Sequence, residues 1–264
     1  RRTRAPRRPL ARTGGAGRTV RTLRAATFSL VALIAAACSP AIIAGSTPAP
    51  PRLAEPPAGA YVALGASETS GLGTDHPSRS AFPQHLLARL GRGTVLYNLG
   101  IPAETTAAAL TDELPAAVSA RPQIATVFFN VDDLVAGVPV SDFESRLDQI
   151  VAALSAGGHT RVLVANTVPI DQLPAFAACG QGLPSCPLKG VAVPSAAAVE
   201  ALVSQYNQAI ARVAAAHGAR LVDLTSAGAA VVAHPDYVGR DGLHPSEAGA
   251  RALADAFASA LKTG

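Results

Sequence analysis

Five short stretches of this chain are apolar at almost every position, and longer segments of helical period separate them. They are residues 61–64, 94–99 (TVLYNL), 124–129 (IATVFF), 161–165 and 220–223. A strand with one wet face alternates apolar and polar residues. A strand apolar throughout is covered on both sides, as in parallel sheets. The segments between read as helices over residues 82–90, 104–120, 195–217 and 246–261, the last opening on the N-cap residue Ser246. Ser141 and Glu144 have the spacing of a capping box, opening a further helix through Ala156. Strand and helix in alternation, with right-handed crossovers, predict an α/β fold: a flavodoxin-like three-layer α/β/α sandwich on a five-stranded, mostly parallel sheet. Ligands of such sheets bind beyond the carboxyl ends of the strands.

The first part of the chain reads differently. Residues 1–37 hold nine arginines and no acid and end in an apolar run from Ala25 to Ala37, the pattern of a secretory signal. The run is shorter than the roughly 20 apolar residues of a membrane span. Residues 38–58, rich in Pro and Ala, read as a semi-rigid tether, and residues 59–264 as one domain. Without the nine arginines the formal charge of +4 becomes −5, from 13 basic against 18 acidic residues. A mildly acidic domain of this kind has no electrostatic reason to bind nucleic acid.

The chain has three cysteines. Cys179 and Cys186 flank the short loop CGQGLPSC, and in an oxidising compartment such a pair closes a disulfide. Cys38 follows three alanines that fit either a lipobox or an ordinary A-x-A cleavage site. As the odd cysteine, it is most simply explained by lipid attachment. The expected location is therefore outside the cell, as a surface lipoprotein or a secreted monomer that meets a membrane only through the lipid.

Two motifs carry chemistry. Gly65-Ala66-Ser67-Glu68-Thr69-Ser70-Gly71 follows the first strand and puts a serine among small residues where a substrate reaches it. It is not a G-x-S-x-G elbow, because Thr69 stands in the second glycine's place. Asp241-Gly242-Leu243-His244-Pro245 lies just ahead of the last helix. A serine hydroxyl needs a base, histidine suits that task, and a carboxylate on its other ring nitrogen orients it. Topology brings both motifs to one edge of the sheet.

Over nearly all of residues 59–264 this arrangement resembles the SGNH or GDSL hydrolase family. The resemblance implies Ser67 as nucleophile, with Ala66 in place of the usual Asp, and Asp241 and His244 as the rest of the triad. It also implies the Ser67 and Gly100 N–H groups as oxyanion donors, Gly100 coming from Asn98-Leu99-Gly100. The family's third block, G-x-N-D-L, is matched by Asn130-Val131-Asp132-Asp133-Leu134, so Asp132 stands where an Asn donor is expected. An ionised Asp cannot donate. Either Asp132 is protonated, or Asn130 supplies the donor, or backbone N–H groups act alone.

The function implied is hydrolysis of a small-molecule, lipid or glycan ester through an acyl-enzyme, with neither cofactor nor metal. The alternative is a non-catalytic surface lipoprotein that binds a glycan or lipid. His76, His85, His159, His217 and His234 lack metal-ligand spacing and read as surface or helix-end residues. The Pro-rich loop over residues 166–194, with Leu173, Pro174 and Phe176, lines an acyl pocket or is an inert insertion.

Overall fold

A computed structural model describes residues 59–188 and 192–262. The expected signal segment, tether and Cys38 lie outside the described residues. The elements in order are β1 (Gly59–Gly65), α1 (Ser67–Ser70), α2 (Pro77–Ser80), α3 (Phe82–Leu87), β2 (Thr94–Asn98), α4 (Thr106–Asp112), α5 (Leu114–Ser119), β3 (Ile124–Phe128), α6 (Val131–Val135) and α7 (Val140–Ser155). They continue with β4 (Arg161–Ala165), α8 (Pro174–Gly180), α9 (Ala196–Ala216), β5 (Arg220–Val222), α10 (Ala227–Ala233) and α11 (Glu247–Lys262).

The five strands form one parallel sheet in the order β2-β1-β3-β4-β5. Successive side chains of a strand point to opposite faces, and both faces of the inner strands β1, β3 and β4 are buried, which explains their apolar runs, while the edge strands β2 and β5 leave Val95, Tyr97 and Leu221 exposed. Val62, Leu64, Ala125, Val127, Val162 and Val164 join Phe143, Leu147, Tyr206 and Ile210 of α7 and α9 in one core. Tyr61, Ala63, Phe128, Leu163 and Val222 join Phe82 of α3 and Phe257 of α11 in the other. Phe82 and Phe257 stack at 4.7 Å, so the last helix is packed beside the first strands. The chain leaves β1 for β2 on one side and then returns to β3 on the other. The strand order therefore reverses between β1 and β3, where a crevice opens at the carboxyl ends.

Two local expectations change. The helix expected over residues 104–120 begins only at Thr106, capped by the Thr105 side chain, and breaks at Glu113 into α4 and α5. Pro115 is the cause, since its ring removes an N–H and clashes with the carbonyl four residues earlier. The Ser141/Glu144 capping box does not form: α7 starts two residues earlier, with Pro139 in the cap position and no side-chain cap. Glu144 instead receives two hydrogen bonds from Arg212 of α9, at 2.8 and 2.7 Å. A bidentate guanidinium is a stronger partner than a backbone N–H. Ser246 caps as read, its Oγ accepting from Ala248 N and Gly249 N, and Ser195 Oγ likewise accepts from Ala198 N. Cys179 and Cys186 are joined, with Cα atoms 4.6 Å apart.

Candidate active site

Ser67 opens α1 directly after β1 and is 6% exposed. The turn needs glycine at two points. Gly65 has φ +149°, and a Cβ there would meet Thr69 Oγ1 at 2.3 Å and the Phe128 carbonyl at 2.6 Å. Gly71 closes α1 with φ +90°, its N–H donating to Ser67 O at 3.0 Å. At the first residue of a helix the Ser67 N–H has no intrahelical acceptor, which leaves it available to an anion.

The Asp241–His244 turn is closed on itself. Asp241 Oδ2 lies 2.6 Å from His244 Nδ1, and Asp241 Oδ1 accepts from the Leu243 and His244 N–H groups, each at 3.0 Å. Burial alone would push the Asp241 carboxyl up. The hydrogen bonds from the His244 ring and the two N–H groups outweigh it and hold this carboxyl below its ordinary value. That geometry directs the other ring nitrogen, Nε2, away from Asp241. Gly242 (φ +73°) lets the turn close, and its carbonyl accepts from Ala175 N of α8 at 2.9 Å. The disulfide-closed loop is thus joined to the Asp241–His244 turn. A Cβ on Gly73, three residues beyond α1, would meet His244 Cβ at 2.7 Å and Pro245 O at 2.6 Å. The serine segment and the histidine turn are therefore in contact, although 171 residues of chain separate Gly73 from His244.

The remaining expected residues lie around the same crevice. Gly100 packs against α1 so closely that a Cβ would meet Thr69 Cβ at 2.7 Å and Ser70 N at 2.8 Å. Its N–H donates to Asn98 Oδ1 at 3.1 Å, and Asn98 Nδ2 donates to Thr69 O at 2.8 Å, tying the end of β2 to α1. Beyond β3, Asn130 is 3% exposed, and its Nδ2 is buried without a partner among the described residues. A buried donor left unpaired costs about 1–3 kcal/mol, which makes this amide a candidate for the oxyanion donor expected from the sequence. Asp133 is fully buried and accepts from Thr106 N at 2.9 Å and Thr106 Oγ1 at 2.7 Å, which fastens α6 to α4. Burial pushes the Asp133 carboxyl up against those hydrogen bonds, and that carboxyl acts on Asp132 too. Burial first, then the Glu68 carboxylate, push the Asp132 carboxyl up to about 7, against the lowering effect of His244.

Glu68 was not singled out from the sequence. It lines a cavity of about 260 Å³ together with His244, and burial pushes its carboxyl above the ordinary value. Its only sequence signal was a carboxylate directly after the serine. The cavity walls are otherwise mainly apolar: Phe128, Val131, Val168, Leu173, Leu224, Val231 and Leu253, with Ala230, Ala252 and Ala256 leaving the space open. Leu173 of the Pro-rich loop is therefore a cavity residue and not part of an inert insertion.

A family model described as GDSL-like lipase/acylhydrolase matches residues 63–252. No curated protein matches the sequence significantly. Among solved structures, that of TesA is 21% identical with a TM-score of 0.58, covering 77% of this chain and 98% of that one. The lipase/acylhydrolase from Enterococcus faecalis is 19% identical (TM-score 0.57, 77% of this chain and 95% of that one). The esterase EstA from Pseudoalteromonas sp. is 16% identical (TM-score 0.56, 77% and 96%). These likenesses show the fold, and the family match covers most of the chain, including the serine and histidine motifs. The chain belongs to the GDSL-like lipase/acylhydrolase family and is a hydrolase of ester bonds.

Proposed function

We propose that the chain is a serine esterase acting through an acyl-enzyme on Ser67. The observation that carries this reading is the 2.6 Å Asp241–His244 hydrogen bond on a turn packed against the loop that follows Ser67. Ser67 Oγ attacks the ester carbonyl while His244 Nε2 takes its proton. His244 returns that proton to the leaving alkoxide, and Asp241 stabilises the imidazolium between the two steps. Water, activated by the same histidine, then releases the acyl group. The Ser67 N–H and Asn130 Nδ2 receive the developing oxyanion, with the Gly100 N–H available if it leaves Asn98. The chemistry is complete without a metal or cofactor.

The substrate, on this reading, is an ester with an aliphatic acyl chain, which the cavity beside His244 accommodates. A carbohydrate acetyl ester is the competing class. A series of acyl esters from acetyl upward, measured beside acetylated glycans, separates them. Ala256→Phe or Ala230→Leu should lower kcat/KM for the longer chains about 10- to 200-fold, the range for removing room for a methylene, while acetyl esters lose far less. Equal loss on all chain lengths would remove the cavity from the acyl site.

We also propose export, with a lipid on Cys38. This rests on the basic and apolar leader and on the Cys179–Cys186 pairing, which leaves Cys38 over. Mass spectrometry of the mature protein should find a diacylglyceryl group on an N-terminal Cys38. An unmodified Cys38 within a longer N-terminus would rule it out.

A further inference from the structure

The mechanism above leaves unused a carboxyl buried directly beneath the nucleophile turn. β2 follows β1 as far as the pair Ala63↔Asn98. Beyond it, Leu99 N–H reaches Ala63 O at 2.9 Å, and Ile101 N–H reaches Gly65 O at 3.0 Å. A continued parallel ladder would also offer the Gly65 N–H a β2 carbonyl. Gly65 N donates instead to Glu113 Oε2, at 2.9 Å. Glu113 comes from the break between α4 and α5, is 0% exposed, and has no partner for Oε1 among the described residues.

We propose that Glu113 is a positioning residue for the nucleophile, its uncharged carboxyl holding the Gly65 peptide, and so the Ser67 turn two residues on, in the attacking position. This rests on the reading of Ser67 as nucleophile. A neutral carboxyl suits the place. The charged groups that act on it are Glu104 ahead of α4 and Asp112 at its end, both acids, and no cation pairs with it among the described residues. Burial first, then those two acids, push it up to about 8, against the lowering effect of the Gly65 hydrogen bond. The neutral form is therefore the one the fold favours. As pH rises through 8 the carboxyl ionises in a site with one donor. The Gly65 N–H bonds the charged form more strongly, so the peptide is drawn toward Glu113, and the negative charge brought under the nucleophile turn opposes a developing oxyanion.

Two measurements test this on the full chain. In the first, the ¹⁵N–H resonance of Gly65 is followed from pH 6 to 10 in the parent and in Glu113→Gln. Titration with a midpoint near 8 in the parent, absent from the glutamine variant, is expected. A flat Gly65 resonance in the parent overturns the proposal.

In the second, kcat and KM are measured in an Asp132→Asn background, so that the titration of Asp132 does not overlie that of Glu113. Glu113→Leu, which removes the acceptor, should lower kcat about 10- to 100-fold with KM nearly unchanged, as small misplacements of a reacting group do. Glu113→Gln, which keeps an acceptor but cannot ionise, should move the alkaline limb of kcat up by at least one pH unit. Parent kcat in the leucine variant, or an unmoved limb in the glutamine variant, overturns the positioning role. If the leucine variant does not fold, the glutamine variant decides alone. Failure of a fluorophosphonate to label Ser67 in the parent would overturn the nucleophile reading, and the positioning role with it. The Gly65 titration would stand or fall separately.

Discussion

Ser67→Ala is expected to lower ester turnover by about 10⁵- to 10⁶-fold, the scale on which loss of a serine nucleophile acts in comparable triads. It is also expected to abolish labelling by a fluorophosphonate. The substitution removes one hydroxyl at the start of a four-residue helix and leaves the packing of β1 untouched, so thermal stability should stay within a few degrees of the parent. His244→Ala should cost about as much, because nucleophile and base act as a unit and their losses do not add. A Ser67→Ala protein that hydrolyses ester at the parent rate would show that another group carries the chemistry. Glu68 would then be the first to test, since it shares a cavity with His244.

Asn130→Ala is expected to lower kcat by about 10²- to 10³-fold, the usual cost of one oxyanion donor, while KM changes little. Its Nδ2 is buried and unpaired among the described residues, so truncation removes a donor that none of them uses. Asp132 acts through charge. With its carboxyl pushed up to about 7, it is neutral below that pH and ionised above it. The ionised form repels an oxyanion. Activity should therefore fall as Asp132 ionises. Asp132→Asn should raise kcat above pH 7 and carry the profile to higher pH. An unchanged profile in Asp132→Asn would show that its carboxyl points away from the reacting atoms. An unchanged kcat in Asn130→Ala would shift the donor role to Asp132 or the backbone.

Glu68 and Asp132 belong to one arrangement. The four letters of the family's name fall on Gly65, Ala66, Ser67 and Glu68, so this chain carries Ala for Asp and Glu for Leu. Asp132 stands in the place of the third block's Asn. Two of these departures put carboxyls within electrostatic reach of each other and of His244. Burial first, and then the Glu68 carboxylate, raise the affinity of Asp132 for a proton.

Those features that depend on neighbours along the chain were legible from the amino acids. The strands declared themselves because a parallel sheet buries both faces, and Tyr61 to Leu64 or Ile124 to Phe128 has no alternative to being apolar. The Asp241–His244 pair needed only a turn of four residues, and the Cys179–Cys186 bridge a loop with a sequence separation of seven. Ser246 caps from within its own first turn.

The features set by distant partners were not legible. Glu144 had the spacing of a capping box, but Arg212, 68 residues away, offered two charged hydrogen bonds, and the box did not form. Pro115 could have signalled the break at Glu113. Nothing local says that the side chain then turns under β1 to meet Gly65, 48 residues earlier. Asn130, Asp132 and Asp133 stand within four residues of one another, yet one is a buried unpaired donor, one a raised carboxyl and one a structural tie to Thr106. Hydrogen-bond partners and local dielectric assign those roles, and both are made by packing, so the residue types came from the sequence and their states from the tertiary structure.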